Sequence, residues 1–206
     1  KNGQSLIDLL EALCAAVPAL RIRLGSLEPR TITEDFCVRA AKLDNLCPHF
    51  HLSLQSGCDA TLKRMNRKYD TARYLESCTL LRRYFDDPAI TTDLITGFPG
   101  ETEGEFEQTL AFIREGGFSA MHVFPYSRRT GTPACDMPGQ VPMQEKEARA
   151  HRAAAVAGEM EQAYLSRQLG KTVPVLFEEE KDGLWRGHTP NYLEVCAESG
   201  ENLHNQ

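Results

Sequence analysis

Tryptophan occurs once in the 206 residues, aromatics make up 8%, and no apolar run is long enough to cross a bilayer as a helix. The opening residues hold no signal-peptide core. These absences point to a cytoplasmic chain with no membrane partner. Positive charge is in deficit too: 23 Lys and Arg face 29 Asp and Glu, a formal net charge of −6. That argues against a uniformly basic nucleic-acid surface and leaves room for a local basic patch. Paired cysteines are lacking. The seven cysteines, at 14, 37, 47, 58, 78, 135 and 196, are odd in number and never two or three residues apart. Such spacing matches neither a zinc knuckle nor an iron–sulfur run. Cys14, Cys37 and Cys78 sit in apolar helical patterns and read as small buried hydrophobes, as expected in a reducing cytosol. No Gly-x-Ser-x-Gly elbow occurs, and Gly97-Phe98-Pro99-Gly100-Glu101 lacks the lysine and hydroxyl residue of a phosphate loop. His49 and His122 stand outside any metal-ligand spacing and fit core or network roles.

What is present is an alternation of helix and strand patterns. Ser5 and Asp8 form a capping box before Leu6, Leu9, Leu10, Leu13 and Val17, which share a helical face, and Pro18 ends that helix. Strands are expected over Arg21 to Gly25, Phe50 to Gln55, Ala89 to Thr96 and Phe118 to Pro125. Helices fall between them, over Thr33 to Leu46, Asp59 to Met65, Thr71 to Phe85 and Thr102 to Arg114, the last closed by Gly116-Gly117. Strands separated by helices argue βα repeats and a parallel sheet. Ser127 to Met143 reads as a long loop. Gln144 to Leu169 reads as one helix, packed through Ala148, Ala155, Val156 and Met160. Val173 to Phe177, Leu184 to His188 and Tyr192 to Val195 have β patterning. The expected domains are therefore 1–143, a connecting helix over 144–170, and a small β module over 171–206.

The most informative stretch runs from Asp93 to Thr102. A strand passes into glycines, a proline and a helix start, the place where ligands sit in parallel α/β folds and where Gly97 lets backbone approach a bound molecule. Asp93 puts a carboxylate inside that strand, where burial demands a partner. Ser53 and Gln55 share a strand face with His51 by period two, which favours a ligand over a closed network. Glu28, just past a strand end, either receives a ligand amine or pairs with Arg30. Lys63, Arg64, Arg67 and Lys68, together with Arg128 and Arg129 after the fourth strand, are either solvated ends or a patch for phosphate or carboxylate. In an acidic chain, these are the places an anionic polymer would touch.

The stretches Arg23 to Pro29, His49 to Gly57, Met65 to Tyr69, Thr92 to Thr102 and His122 to Ala134 resemble, in order, the radical S-adenosylmethionine methylthiotransferases. The tail from Gly187 to Val195 resembles the start of that family's RNA-binding TRAM barrel. The resemblance implies an α/β fold: the C-terminal four βα units of a partial radical-SAM β/α barrel, then a helix and an incomplete TRAM-like β module. It implies S-adenosylmethionine as cofactor and two [4Fe–4S] clusters in the full-length parent, with ligands among residues this chain does not contain. By the same resemblance, Glu28, Ser53, Gln55, Asp93, Gly97, Phe124 and Pro125 face the cofactor, while Arg64, Arg67, Arg128 and Arg129 face substrate. The partner implied is the tRNA anticodon loop. The parent would insert a methylthio group at C2 of adenosine 37, by way of a 5′-deoxyadenosyl radical. The His122 to Ser127 form points to the threonylcarbamoyladenosine branch, with isopentenyladenosine tRNA or a non-catalytic RNA-binding module as alternatives. Without cluster cysteines the chain is expected to be inactive alone. A strand edge left open near Arg21 to Gly25 favours self-association.

Overall fold

The computed structural model describes residues 3–206. Helix α1, Leu6–Ala16, starts where the Ser5 amide donates to the Asp8 carboxylate at 2.6 Å. It buries Ile7, Leu10 and Cys14, while Leu9 and Leu13 are exposed, so the inward face is rotated from the leucine stripe the sequence suggests. Its cover is α2, Glu34–Ala40, whose Arg39 donates to Asp8 and Glu11 of α1. Helix α2 is shorter than expected, ending at Ala40, and after a turn strand β2, Leu46–Leu52, begins before Phe50. Pro48 lies inside that strand and disguises its start.

Strands β1 (Ile22–Leu27), β2, β3 (Ala89–Thr96) and β4 (Ala120–Pro125) form one parallel sheet in chain order. Between them run α2, α3 (Asp59–Arg64), α4 (Thr71–Tyr84) and α5 (Glu103–Gly116). Crossovers of one hand between neighbours in chain order stack their helices on one face of the sheet. Alternation then divides each strand: Ile90, Thr92, Leu94 and Thr96 of β3 are buried, whereas Thr91, Asp93 and Ile95 are half-buried on the other side. The core joins Phe50, Leu52, Leu54, Ile90 and Leu94 to Tyr74, Leu81, Phe106, Ile113 and Phe118. Fully buried Tyr74 donates to the Leu52 carbonyl at 2.9 Å, which satisfies its hydroxyl.

Helix α6, Met143–Gln168, packs along β4 and β3. Its inward residues are Lys146, Arg149, Ala153, Val156, Ala157 and Tyr164, while Ala148 and Ala155, expected to pack, are exposed. Two buried cations at the head of the helix shift the face, because Arg149 meets Glu101 and Glu103 around the start of α5 and Lys146 meets the Tyr126 carbonyl just past β4. A separate antiparallel sheet follows, from β5 (Leu176–Lys181), β6 (Leu184–His188) and β7 (Glu194–Ala197). Asp182 and Gly183, at φ 55° and 79°, make the tight β5–β6 turn. Strands β5 and β7 begin two to three residues later than their apolar patterns suggest. No helix among the described residues is long and apolar enough to cross a membrane.

Candidate functional site

The face of the parallel sheet turned away from α2 to α5 carries Arg23 and Gly25 of β1, His49 and His51 of β2, Thr91, Asp93 and Ile95 of β3, and His122 and Phe124 of β4. Two open cavities follow one another along it, and Asp93 borders both. The upper cavity, about 560 Å³ at the carboxyl ends of the strands, is lined by Gln55, Asp93, Ile95, Phe124, Pro125, Tyr126, Ser127 and Arg129, with Thr132 and Ala134. The lower cavity, about 770 Å³, lies under α6 and the tail sheet, against Glu161, His188, Asn191 and Tyr192.

Gln55 is held in the left-handed region at φ 70°. Its amide donates to the Asp93 carbonyl at 2.9 Å, and its own carbonyl accepts from the Ile95 amide at 3.0 Å. Strain of this kind persists where the surroundings over-determine it, and here it bends the chain at the cavity wall. Ser53, two residues earlier and past the end of β2, does not line the upper cavity, and its carbonyl accepts from the Tyr69 hydroxyl at 2.6 Å. Phe124 exposes 52% of its surface, an apolar ring facing open space beside Pro125. The arrangement offers an aromatic and aliphatic wall for a flat ring, with an amide, a carboxylate and the Arg129 guanidinium for polar groups.

Other residues singled out in the sequence stand elsewhere. Glu28 is exposed just past β1, before a 3₁₀ turn at Pro29–Thr31, and does not line the upper cavity. Gly97, at φ 69°, is buried behind the wall, where an added Cβ would clash with Lys146 Cγ. Arg64 is committed to a fork on Glu105, at 3.0 and 2.6 Å, which holds that carboxyl below the usual range. It ties α3 to α5 and does not border the cavity. Arg67 is half-buried with no carboxylate partner among the described residues. Arg128 is exposed, and its Nε donates to the Cys135 carbonyl at 2.8 Å, bracing the loop that carries Arg129.

The lower cavity contains a relay that sequence spacing only half revealed. His51 Nε2 lies 3.3 Å from Asp93 Oδ2, its Nδ1 is 3.1 Å from Thr91 Oγ1, and that hydroxyl is 3.2 Å from His49 Nε2. With His51 donating to the carboxylate, Thr91 donates to His51 and accepts from His49. His49 Nδ1 is then a buried acceptor without a partner. Burial first, and the Arg23 charge second, hold the His49 imidazole down to about 4. The Tyr192 ring closes this end, with the Arg23 guanidinium 3.5 Å from its centroid and His188 stacked at 4.4 Å.

Glu101, Lys146 and Arg149 are the buried charged residues that sequence reasoning missed. The Glu101 carboxylate accepts from the Gly97 amide at 2.7 Å and from Arg149 at 3.0 Å, while burial pushes its carboxyl up. Among the described residues no group of three or more His, Cys, Asp or Glu is placed to hold a metal ion. Five cysteines are buried and dispersed, Cys135 is half-buried and Cys196 exposed, so the residues present do not fit an iron–sulfur cluster.

Comparison with known proteins bears on this geometry. The Radical SAM superfamily profile matches residues 5–113. Threonylcarbamoyladenosine tRNA methylthiotransferase MtaB of Bacillus subtilis is 38% identical over 188 residues, covering 89% of this chain and 42% of the relative. The tRNA-2-methylthio-N(6)-dimethylallyladenosine synthase of Oleidesulfovibrio alaskensis is 44% identical over 200 residues, covering 97% of this chain and 43% of the relative. The chain thus spans about two fifths of the length of these curated relatives. Among solved structures, coproporphyrinogen III oxidase HemN of Escherichia coli, described as a Radical SAM enzyme, superposes with a TM-score of 0.62 at 14% identity. That match covers 89% of this chain and 51% of HemN, and it shows the shared fold.

Proposed function

The chain belongs to the Radical SAM superfamily, and we propose that it serves a tRNA methylthiotransferase, with S-adenosylmethionine in the upper cavity and the anticodon loop at its rim. One observation carries this reading. Gln55, Asp93, Phe124 and Pro125, from three neighbouring strands and their ends, meet around one cavity of about 560 Å³. That size suits a nucleoside-bearing ligand. When bound, the cofactor supplies an adenosyl group and a sulfonium-borne methyl. The protein's part is placement: Phe124, Ile95 and Pro125 shelter the adenine ring, and Gln55 offers its amide to the ring edge. Asp93, steadied by His51, accepts from ribose hydroxyls or the amino group. Gly97 backs the wall from behind, while Glu28 and Ser53 stand outside the cavity lining.

The base is read as an N6-modified adenosine. The wider and higher-identity match to a dimethylallyladenosine synthase favours the isopentenyl form over the threonylcarbamoyl form suggested by His122 to Ser127. Phosphates would meet Arg67, Arg128 and Arg129, since Arg64 is already paired with Glu105. The tail sheet is a weaker electrostatic partner, because Glu178, Glu179 and Glu180 are exposed along β5. Binding of an unmodified anticodon stem–loop to the 206-residue chain, titrated against salt, tests this assignment. Affinity should fall steeply as salt rises, and removing Arg67, Arg128 and Arg129 together should flatten the slope by about three. A slope that ignores these arginines would reject the proposed rim.

A further inference from the structure

We propose that Lys146 and Arg149 of α6, acting with Glu101, are positioning residues that set the shape of the upper cavity by latching the ends of β3 and β4. This inference rests on the reading of that cavity as the cofactor site.

Arg149 is almost wholly closed to solvent, as is Glu101, and the two meet at 3.0 Å. The same Arg149 nitrogen donates to the Glu101 carbonyl at 3.0 Å, and the guanidinium also faces Glu103 and Glu145. Glu101 passes this hold to Gly97 through the 2.7 Å bond from the Gly97 amide. Lys146, one helical turn earlier, is buried without a carboxylate partner among the described residues. Its ammonium donates to the Tyr126 carbonyl at 3.1 Å, while its own carbonyl accepts from Thr96 Oγ1 at 3.1 Å. The lysine stem fills the space that a side chain on Gly97 would need. Thr96 also receives the Tyr126 amide at 2.8 Å.

One turn of one helix therefore grips Thr96, Gly97 and Tyr126, the immediate neighbours of Ile95, Pro125 and Ser127 in the cavity wall. Stability is a poor reason for such groups, because apolar residues of similar volume commonly replace a buried ion pair at no loss. Directionality is the better reason. Hydrogen bonds to a strand-end carbonyl and a left-handed amide fix their orientation as packing alone does not.

The test uses the 206-residue chain with Lys146→Met, Glu101→Leu and Glu101→Gln. Lys146→Met keeps the stem over Gly97 and removes the donor. Glu101→Leu removes the acceptor from Gly97, and Glu101→Gln restores one. Equilibrium dialysis with S-adenosylmethionine should show about tenfold weaker binding for Lys146→Met and Glu101→Leu, the scale of one lost hydrogen bond, and substantial rescue by Glu101→Gln. Amide hydrogen exchange at Gly97 should quicken in Glu101→Leu and recover in Glu101→Gln. Should Glu101→Leu fail to fold, Lys146→Met still decides. Wild-type affinity in a folded Lys146→Met chain, or no rescue by Glu101→Gln, would overturn the proposal. If the wild-type chain binds no S-adenosylmethionine, the functional reading fails by itself. The latch is then judged by exchange: unchanged Gly97 protection in a folded Glu101→Leu chain rejects it, and lost protection upholds it.

Discussion

His49 is enclosed between Arg23, Tyr192 and Thr91, and burial, with the Arg23 charge second, holds its imidazole down to about 4. An unfolded histidine protonates near pH 6.5, so the unfolded chain gains a proton that the folded chain refuses as pH falls. The contribution of this group to stability is therefore full above about 6.5 and drains away toward pH 4, on the order of 3 kcal/mol in all. Urea unfolding of the wild type and His49→Gln across that range checks it: the variant should lose less stability on acidification. Gly97→Ala should cost about 1–3 kcal/mol in the same assay, since φ is 69° and the new Cβ meets Lys146. Asp93 was legible as a carboxylate inside a strand pattern, and Gln55 was singled out by period two with His51 and Ser53, although β2 ends at Leu52 and the chain bends at Gln55. Arg64, Lys146 and Arg149 were not legible. Each owes its place to a carboxylate or carbonyl distant in sequence, and a charged helical position reads as solvated until that partner is known.

Among the elements, β3 and α5 were the clearest, as alternation marks the first and a Thr102–Glu105 capping box with Gly117 in the left-handed region brackets the second. Helix α6 was legible in extent and not in orientation. Its alanines are too uniform to choose a face, and the choice falls to Lys146, Arg149 and Tyr164. The tail strands were displaced for a related reason: Tyr192 is apolar in pattern, yet it is spent on docking rather than on β7. The Tyr192 ring between Arg23 and His188, together with the 2.8 Å bond from Asn191 to the Tyr164 hydroxyl, joins the tail sheet to β1 and α6. Tyr192→Ala should speed amide exchange across β5–β7 and leave β2 and β3 protected. Equal exposure of both sheets would mean that the tail and the parallel sheet unfold as one unit.

Across the whole molecule, an acidic chain of net charge −6 keeps one arginine, Arg129, in the lining of an apolar-walled cavity. The resemblance visible in the motifs captured the fold class and the family, while the gathering of those motifs on one sheet face required the register of the four strands. Three of the residues first grouped there, Gln55, Asp93 and Pro125, do border one space, and Glu28 stands outside it. The most direct measurement is a titration of the 206-residue chain with S-adenosylmethionine, followed by backbone amide shifts. Saturable shifts at Gln55, Asp93, Ile95, Phe124 and Ser127, abolished by Asp93→Ala in a folded chain, are predicted. No shift at these positions, or shifts confined to Arg23, His122 and His188 in the lower cavity, would contradict the account.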